Sequence, residues 1–380
     1  DLIGGDAFQE IDVTGITLPI TKHNYLVTSA AQIAPAVREA FYIAQSGRPG
    51  PVLIDICKDA QNECAEYCYP EEINLPGYQP PEHACQADLD QAASWIREAQ
   101  RPVILAGHGV LISRSARALQ ALAMKADIPV AMTLLGLGAF PASNRLSLGM
   151  MGMHGEAYCN QAIQKADLLI ALGMRFDDRV TGNLRTYAPQ AKKIHIEIDP
   201  TEVHKNVQVD LPLVGNLGTV LEDLLPMLEE SGHEPWLSQI DGWRQETRER
   251  DILQWPEDGK LFVPRVVHDI WQASGGQAIV ATGVGQHQMW TAQYYKFTKP
   301  RTLVSSGGLG TMGFGFPAAI GAQVAYPKSL GVDIAGDGSI QMNIQELGTA
   351  VQFNLPVKIV ILNNGYLGMV RQWQELFYQK

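Results

Sequence analysis

The sequence predicts an α/β fold made of doubly wound parallel sheets. Three observations carry that prediction. Residues 88–230 alternate strand-like and helix-like stretches, the pattern of a doubly wound sheet. Residues 330–366 form a strand–helix–strand unit whose strands are almost wholly apolar, as in a parallel sheet covered on both faces. At 380 residues the chain exceeds one ordinary domain, so two or three are expected.

In chain order, residues 1–60 read as the end of a domain. A helix over 33–46 is closed by Gly47-Arg48-Pro49-Gly50, and a buried strand over 51–56 follows. Residues 61–87 carry Pro70, Pro76, Pro80 and Pro81 with little periodicity, which marks a linker. Residues 88–230 hold a strand at 102–106, a helix over 113–125 and a strand at 128–133. A helix over 156–165 and strands at 168–172 and 193–198 come next, then a helix over 217–228. Gly107-His108-Gly109 lacks the third glycine of a nicotinamide-dinucleotide fingerprint, which disfavours a dehydrogenase. Residues 231–261, with Trp236, Trp243, Trp255, Pro256 and Gly259, read as a second, partly helical linker. Residues 262–380 form the last unit: a strand at 278–282, a glycine-rich stretch over 305–315, a helix over 317–325, a strand at 332–335, an amphipathic helix over 342–352 and a strand at 357–362.

The net charge of −11 argues against nucleic acid or anionic membrane as partners, while local basic residues leave an anionic substrate open. No apolar run has the length of a membrane span, and no stretch reads as a signal peptide. The sequence starts at Asp1 without a Met, and an upstream segment is expected. Five cysteines, an odd and sparse set, point to a reducing compartment. Cys57, Cys64, Cys68 and Cys85 cluster near His83, but only Cys64 and Cys68 are close in sequence, so free thiols are expected rather than zinc ligands.

The chemistry concentrates in 330–366. Gly336-Asp337-Gly338 closes one apolar strand and Asn363-Asn364 closes the next. Ligands bind at the carboxyl ends of strands in such sheets. A carboxylate and an amide oxygen are hard ligands suited to Mg²⁺, which shares its shell with phosphates. The flanking glycines let the backbone approach a diphosphate. Alone, Gly-Asp-Gly is a turn and Asn-Asn a loop start; following two apolar strands, they are far more specific.

This pairing resembles the signature of thiamine-diphosphate enzymes. The resemblance makes Asp337, Asn364 and the carbonyl of Tyr366 the metal ligands, and Gly336, Asp337, Gly338 and Ser339 part of the diphosphate site. Further stretches narrow it to the acetohydroxyacid (acetolactate) synthase family, large catalytic subunit: residues 6–10, 20–24, 46–52, 149–155, 175–182, 284–290 and 307–315. It implies three doubly wound domains: the end of a pyrimidine-binding domain (1–60), a middle FAD domain (88–230) and a diphosphate-binding domain (262–380), the first without its beginning and the last without its end. The implied reaction decarboxylates pyruvate and joins the product to pyruvate or 2-ketobutyrate, in branched-chain amino-acid synthesis.

The resemblance also assigns roles. Met312 props the thiamine cofactor from beneath, Gln286 and His287 contact its diphosphate end, Arg179 meets the substrate carboxylate, and Trp373 favours 2-ketobutyrate as acceptor. For FAD it selects Arg48, Gly107, Gly109, Thr133, Leu134, Met153, His154, Gly173, Arg175, Asp177, Glu197, Ile198 and Asn216. It implies a homodimer or homotetramer with a shared active site, a small regulatory subunit, and a cytoplasmic location, or a plastid or mitochondrion in a eukaryote. His108, Cys57 and Asn216 depart from the family pattern. The glutamate that activates the cofactor would lie upstream of Asp1, so a cofactor-binding but inactive chain is one alternative. Another thiamine-dependent decarboxylase or oxidase is the second. Local readings also stand: Met312 as a loop residue, His287 as a structural histidine, Arg179 paired with Asp177 or Asp178, and Trp373 as a core residue.

Overall fold

The computed structural model describes residues 3–255 and 259–379; Asp1, Leu2, Lys380 and Pro256, each named in the sequence reading or at its ends, lie outside the described residues. The strands among the described residues pair only in parallel. They are β1 His23–Val27, β2 Val52–Ile56, β3 Pro102–Ala106, β4 Val130–Met132, β5 Ser147–Met150, β6 Leu168–Leu172, β7 Lys192–Glu197, β8 Leu211–Val214, β9 Ile279–Thr282, β10 Leu303–Ser305, β11 Gly331–Gly336 and β12 Lys358–Leu362. They make sheets of two, six and four strands. Long crossovers, mostly helical, join neighbours, as parallel pairing requires. The chain divides into two compact units, Asp1–Glu82 and His83–Lys380.

In the first unit β1 and β2 pair through the crossover helix Ile33–Gln45, which buries Ala36, Ala40 and Ile43 at helical spacing. Lys22 closes that helix: its ammonium donates to the carbonyls of Ile43 and Ser46 and to the Tyr78 hydroxyl, each at 2.6 Å. β2 was expected to be buried, but all five residues are only half-buried, because one neighbouring strand and one helix cannot cover both faces.

In the second unit the six-stranded sheet runs β5-β4-β3-β6-β7-β8. Counted from its own first strand this is 3-2-1-4-5-6, the doubly wound order of dinucleotide-binding sheets. Its centre is dry: Val103, Ile104 and Leu105 are fully buried, each worth about 1.5–3 kcal/mol relative to exposure. The four-stranded sheet runs β10-β9-β11-β12, or 2-1-3-4, and shares an apolar core with the first.

Several elements differ from expectation. The helix expected over 113–125 starts only at Ala116 and runs to Lys125, behind a separate short helix His108–Ile112; Arg114 between them turns left-handed (φ +58°) and Ser113 and Ser115 bond each other at 2.7 Å. The helix expected over 342–352 breaks into a 3₁₀ turn at Ile344–Glu346 and the helix Leu347–Gln352, and that helix buries nothing. Asn343 causes the break, since its side chain donates to the Gly313 carbonyl at 3.0 Å. β12 was expected to be covered on both faces; among the described residues it has a neighbour on one side only, with Lys358 and Ile361 exposed. The second linker is mostly the helix Glu234–Glu249, which buries Trp236, Leu237 and Ile240.

Candidate active site

In the four-stranded sheet the chain leaves β9 toward β10 on one side, while β11 and β12 lie on the other. Such a switch point opens a crevice at the carboxyl ends of the strands, here β9 and β11. Glycines line it. A Cβ on Gly283 would stand 2.4 Å from Ser339 Oγ and 2.9 Å from His287 Nε2. One on Gly336 would stand 2.8 Å from the His287 ring. Ser339 Oγ accepts from the N–H groups of Val284 (3.2 Å) and Gly313 (3.1 Å), tying three loops together. His287 is buried with Nε2 unpartnered among the described residues, and burial pushes its pKa down to about 4, so the ring is neutral at pH 7.

β11 and β12 pair with Gly336 opposite Leu362. Asp337 is therefore one residue beyond the end of one strand, and Asn364 two residues beyond the end of its neighbour. Asn364 Oδ1 accepts from its own Tyr366 N–H at 3.2 Å, leaving a second lone pair. The Tyr366 ring itself is turned outward, with the Arg371 guanidinium 4.6 Å from its centroid. Gln286 and Asn364 both press on Gly368, where a Cβ would meet Gln286 Oε1 at 2.2 Å and Asn364 Nδ2 at 2.8 Å. Gln286 also donates to Gln372 Oε1 at 3.2 Å. Met312 reaches Gly338: a Cβ there would be 3.7 Å from its terminal methyl.

The six-stranded sheet has its own switch point between β3 and β6. Gly107 and Gly109 follow β3, Gly173 follows β6, and their backbones touch. A Cβ on Gly109 would stand 2.6 Å from the Gly173 Cα. Thr133 and Leu134 follow β4, Met153 and His154 follow β5, Arg175 and Asp177 follow β6, Glu197 and Ile198 close β7, and Asn216 follows β8. All lie at one edge of the sheet. Arg48 lies in the first unit, in the turn after its helix. His108, which departs from the family's glycine, bonds across the turn to the Leu135 carbonyl at 2.9 Å. Asn216 caps the helix Leu217–Leu224 by accepting from Gly218 N–H. Glu197 Oε1 accepts from the N–H groups of Ile198 (3.0 Å) and Asp199 (3.3 Å). His195 lies 3.8 Å from the other Glu197 oxygen but 2.8 Å from the Met174 carbonyl. Burial lowers its pKa, so it acts as a neutral donor to the carbonyl and makes no ion pair.

The two sheets meet at Arg179, whose guanidinium carbon lies 4.7 Å from the Trp373 ring centroid. Its Nη1 is 3.9 Å from Met153 Sδ and 3.8 Å from Asp178. Burial, with Arg179 nearby, lowers the His154 pKa. Arg175 pairs loosely with Asp177 at 3.7 Å, and Asp177 caps Arg179 N–H at 3.1 Å.

Residues 89–224 match the family described as "Thiamine pyrophosphate enzyme, central domain", and residues 283–380 match "Thiamine pyrophosphate enzyme, C-terminal TPP binding domain". The whole chain is 44% identical to an acetolactate synthase large subunit of Haemophilus influenzae and covers 67% of that protein. The chain belongs to the acetolactate synthase large-subunit family. It is also 47% identical to an acetolactate synthase of Mycobacterium leprae, covering 61% of it, and 47% identical to "Acetolactate synthase 1, chloroplastic" of Nicotiana tabacum, covering 57% of it. The chain thus spans between 57 and 67% of these relatives' lengths.

Sequence reasoning did not single out Gln372, Gln293 or Asp333, which the structure places in or beside these sites. Gln372 and Gln293 are helix-surface glutamines whose partners lie 86 and 139 residues away, so no local signal marks them. Asp333 did carry a signal: it is an acid inside an otherwise apolar strand, fully buried and unpartnered among the described residues. Cys57, Cys64, Cys68, Cys85 and Cys159 form no disulfide. No helix among the described residues is long and apolar enough to cross a membrane.

Proposed function

We propose that this chain provides the acetohydroxyacid synthase chemistry of its family: decarboxylation of pyruvate and condensation with pyruvate or 2-ketobutyrate, leading to branched-chain amino acids. The observation that carries this reading is the placement of Asp337 and Asn364 beyond the paired ends Gly336 and Leu362, beside a glycine-lined crevice. The residues present fit thiamine diphosphate and Mg²⁺. Gly283 and Gly336 let Ser339 and His287 pack directly against bare backbone at the strand ends, and Asp337, Asn364 and the Tyr366 carbonyl supply an all-oxygen donor set. The β3/β6 switch point suits a flavin dinucleotide, because sheets of this order bind one there and Gly107, Gly109 and Gly173 let the two turns pack backbone against backbone.

Thiamine diphosphate, when bound, supplies the nucleophilic carbon and the electron sink for the keto acid. The residues of this chain would take the following parts. Asp337 and Asn364 would hold the metal that the diphosphate needs. Gln286 and the neutral His287 line the diphosphate end, and Ser339 fixes the loops around them. Met312, whose methyl reaches Gly338, would offer the cofactor a soft thioether surface. Arg179 orients a substrate carboxylate with its planar fork, and Trp373 offers the acceptor an apolar wall. FAD does no net redox chemistry here. In this reading the chain forms a homodimer or homotetramer, and the "large subunit" in the Haemophilus influenzae relative's name supports a small subunit partner. The location is the cytoplasm, or an organelle in a eukaryote, as the tobacco relative's name indicates for that protein.

The test is a product assay of the protein carrying these residues, given pyruvate, thiamine diphosphate, Mg²⁺ and FAD. Acetolactate is the expected product. Acetaldehyde alone, or oxygen-dependent acetate, would assign the chain a different thiamine-dependent activity.

A further inference from the structure

The helix Gln286–Tyr294 begins at the β9 glycine loop and ends against the other sheet. Its first residues, Gln286 and His287, face the crevice proposed for the diphosphate. Near its far end, Gln293 Nε2 donates to the His154 carbonyl at 2.6 Å. Gln286 and Gln293 are seven residues apart, two turns, so they share a helix face about 10 Å apart along the axis. Lys296 reinforces the contact: its ammonium donates to the Gln293 carbonyl at 2.7 Å and lies 4.0 Å from the Glu156 carboxylate.

The turn that receives Gln293 is tightly built. Asn160 both donates to the Gly152 carbonyl and accepts from its N–H, at 2.8 Å each. Met153 N–H donates to the Arg179 carbonyl at 2.8 Å, and Gly155 N–H to the Gly152 carbonyl at 2.9 Å. A Cβ on Gly152 would meet the Arg179 carbonyl oxygen at 2.5 Å. A displacement of His154 in such a turn passes to whatever is bonded to it, because the turn has little slack of its own. The receiving helix is a single rigid rod with the diphosphate contacts at its other end.

We propose that Gln293 is a positioning residue that couples the two cofactor sites, tying the orientation of Gln286 and His287 to the flavin-facing turn at Met153–His154. The proposal rests on the cofactor assignments above and goes beyond them, because it gives Gln293 a role through the His154 carbonyl. A ligand that orders His154 then removes part of the ordering cost of Gln286 and His287, and linkage makes the effect reciprocal.

The experiment measures dissociation constants for thiamine diphosphate with Mg²⁺, with and without saturating FAD, and for FAD with and without thiamine diphosphate. The parent protein is compared with Gln293→Leu, which removes the donor at similar size, and with Gln293→Glu, which sets a carboxylate against the carbonyl. Circular dichroism confirms that each variant is folded. In the parent, each cofactor tightens the other by the same factor, about fivefold or more. In either variant the factor falls toward one, while each cofactor alone binds within about twofold of the parent. A purely structural Gln293 would lower thermal stability and leave the factor unchanged. That result, or a parent with independent sites, overturns the proposal. Failure of the cofactor assignments shows separately, as no binding of thiamine diphosphate or FAD alone.

Discussion

The Arg179 guanidinium stacks over the Trp373 indole, 4.7 Å from its centroid, and so joins the turn after β6 to the last helix, Gly368–Phe377. The two residues are 194 positions apart and belong to different sheets. A charge over an aromatic face holds both side chains in one orientation. In the proposed reaction that pair presents a carboxylate clamp and an apolar wall to the same acceptor.

Trp373→Leu then shifts acceptor choice. 2-Ketobutyrate exceeds pyruvate by one methylene, and packing it against an indole is worth ~1–3 kcal/mol, or roughly ten- to two-hundred-fold. A competition assay with both keto acids reads the product ratio. The variant keeps acetolactate formation and loses much of the preference for 2-ketobutyrate. An unchanged ratio would place acceptor choice elsewhere.

Asp333 gives a pH prediction. Burial without a partner raises its pKa from the usual carboxylate range to about 7. A raised folded-state pKa means that the unfolded chain gives up this proton first as pH rises. The group's relative stability is therefore full below about pH 4 and is lost as pH climbs to about 7. The loss is at most about 4 kcal/mol, at about 1.4 kcal/mol per pH unit. Asp333→Asn removes the titration. Denaturant melts should show the variant more stable than the parent at pH 7–8, with the difference vanishing near pH 4. Equal differences at both pH values would mean that the carboxyl is ionised and satisfied in the folded protein.

Gly173→Ala tests the close approach at the β3/β6 switch point. Its φ is +55°, and a Cβ would stand 2.6 Å from the Gly109 Cα, a backbone atom that cannot swing away. Overpacking of this kind costs roughly 1–3 kcal/mol. The melting temperature should fall by several degrees and FAD affinity with it. A variant that melted and bound FAD as the parent does would show slack between the two turns.

The sequence made some of this legible and hid the rest for physical reasons. β6 is a buried central strand, and its five apolar residues matched expectation residue for residue. The positions of Asp337 and Asn364 at strand ends were readable because the first follows β11 at once and the second comes two residues after β12, so local pattern fixes the end of the sheet each occupies. β5, β8 and β10 are three or four residues long, too short for a period to register. The exposure of β12 follows from its having a neighbour on one side only among the described residues, which its apolar composition does not encode. The Gln293–His154 bond and the Arg179–Trp373 stack join residues far apart in the chain, so only the folded arrangement brings them together.

The central claim is that Asp337 anchors a Mg²⁺-dependent diphosphate site at the end of β11, and a titration with thiamine diphosphate tests it most directly. Dissociation constants are measured with Mg²⁺, after chelation, and for Asp337→Ala with Mg²⁺ present. Removing the one carboxylate of an otherwise neutral oxygen set should weaken binding at least ~100-fold, and chelation should do the same to the parent. Tight binding by Asp337→Ala, or binding by the parent that ignores chelation, would contradict the assignment.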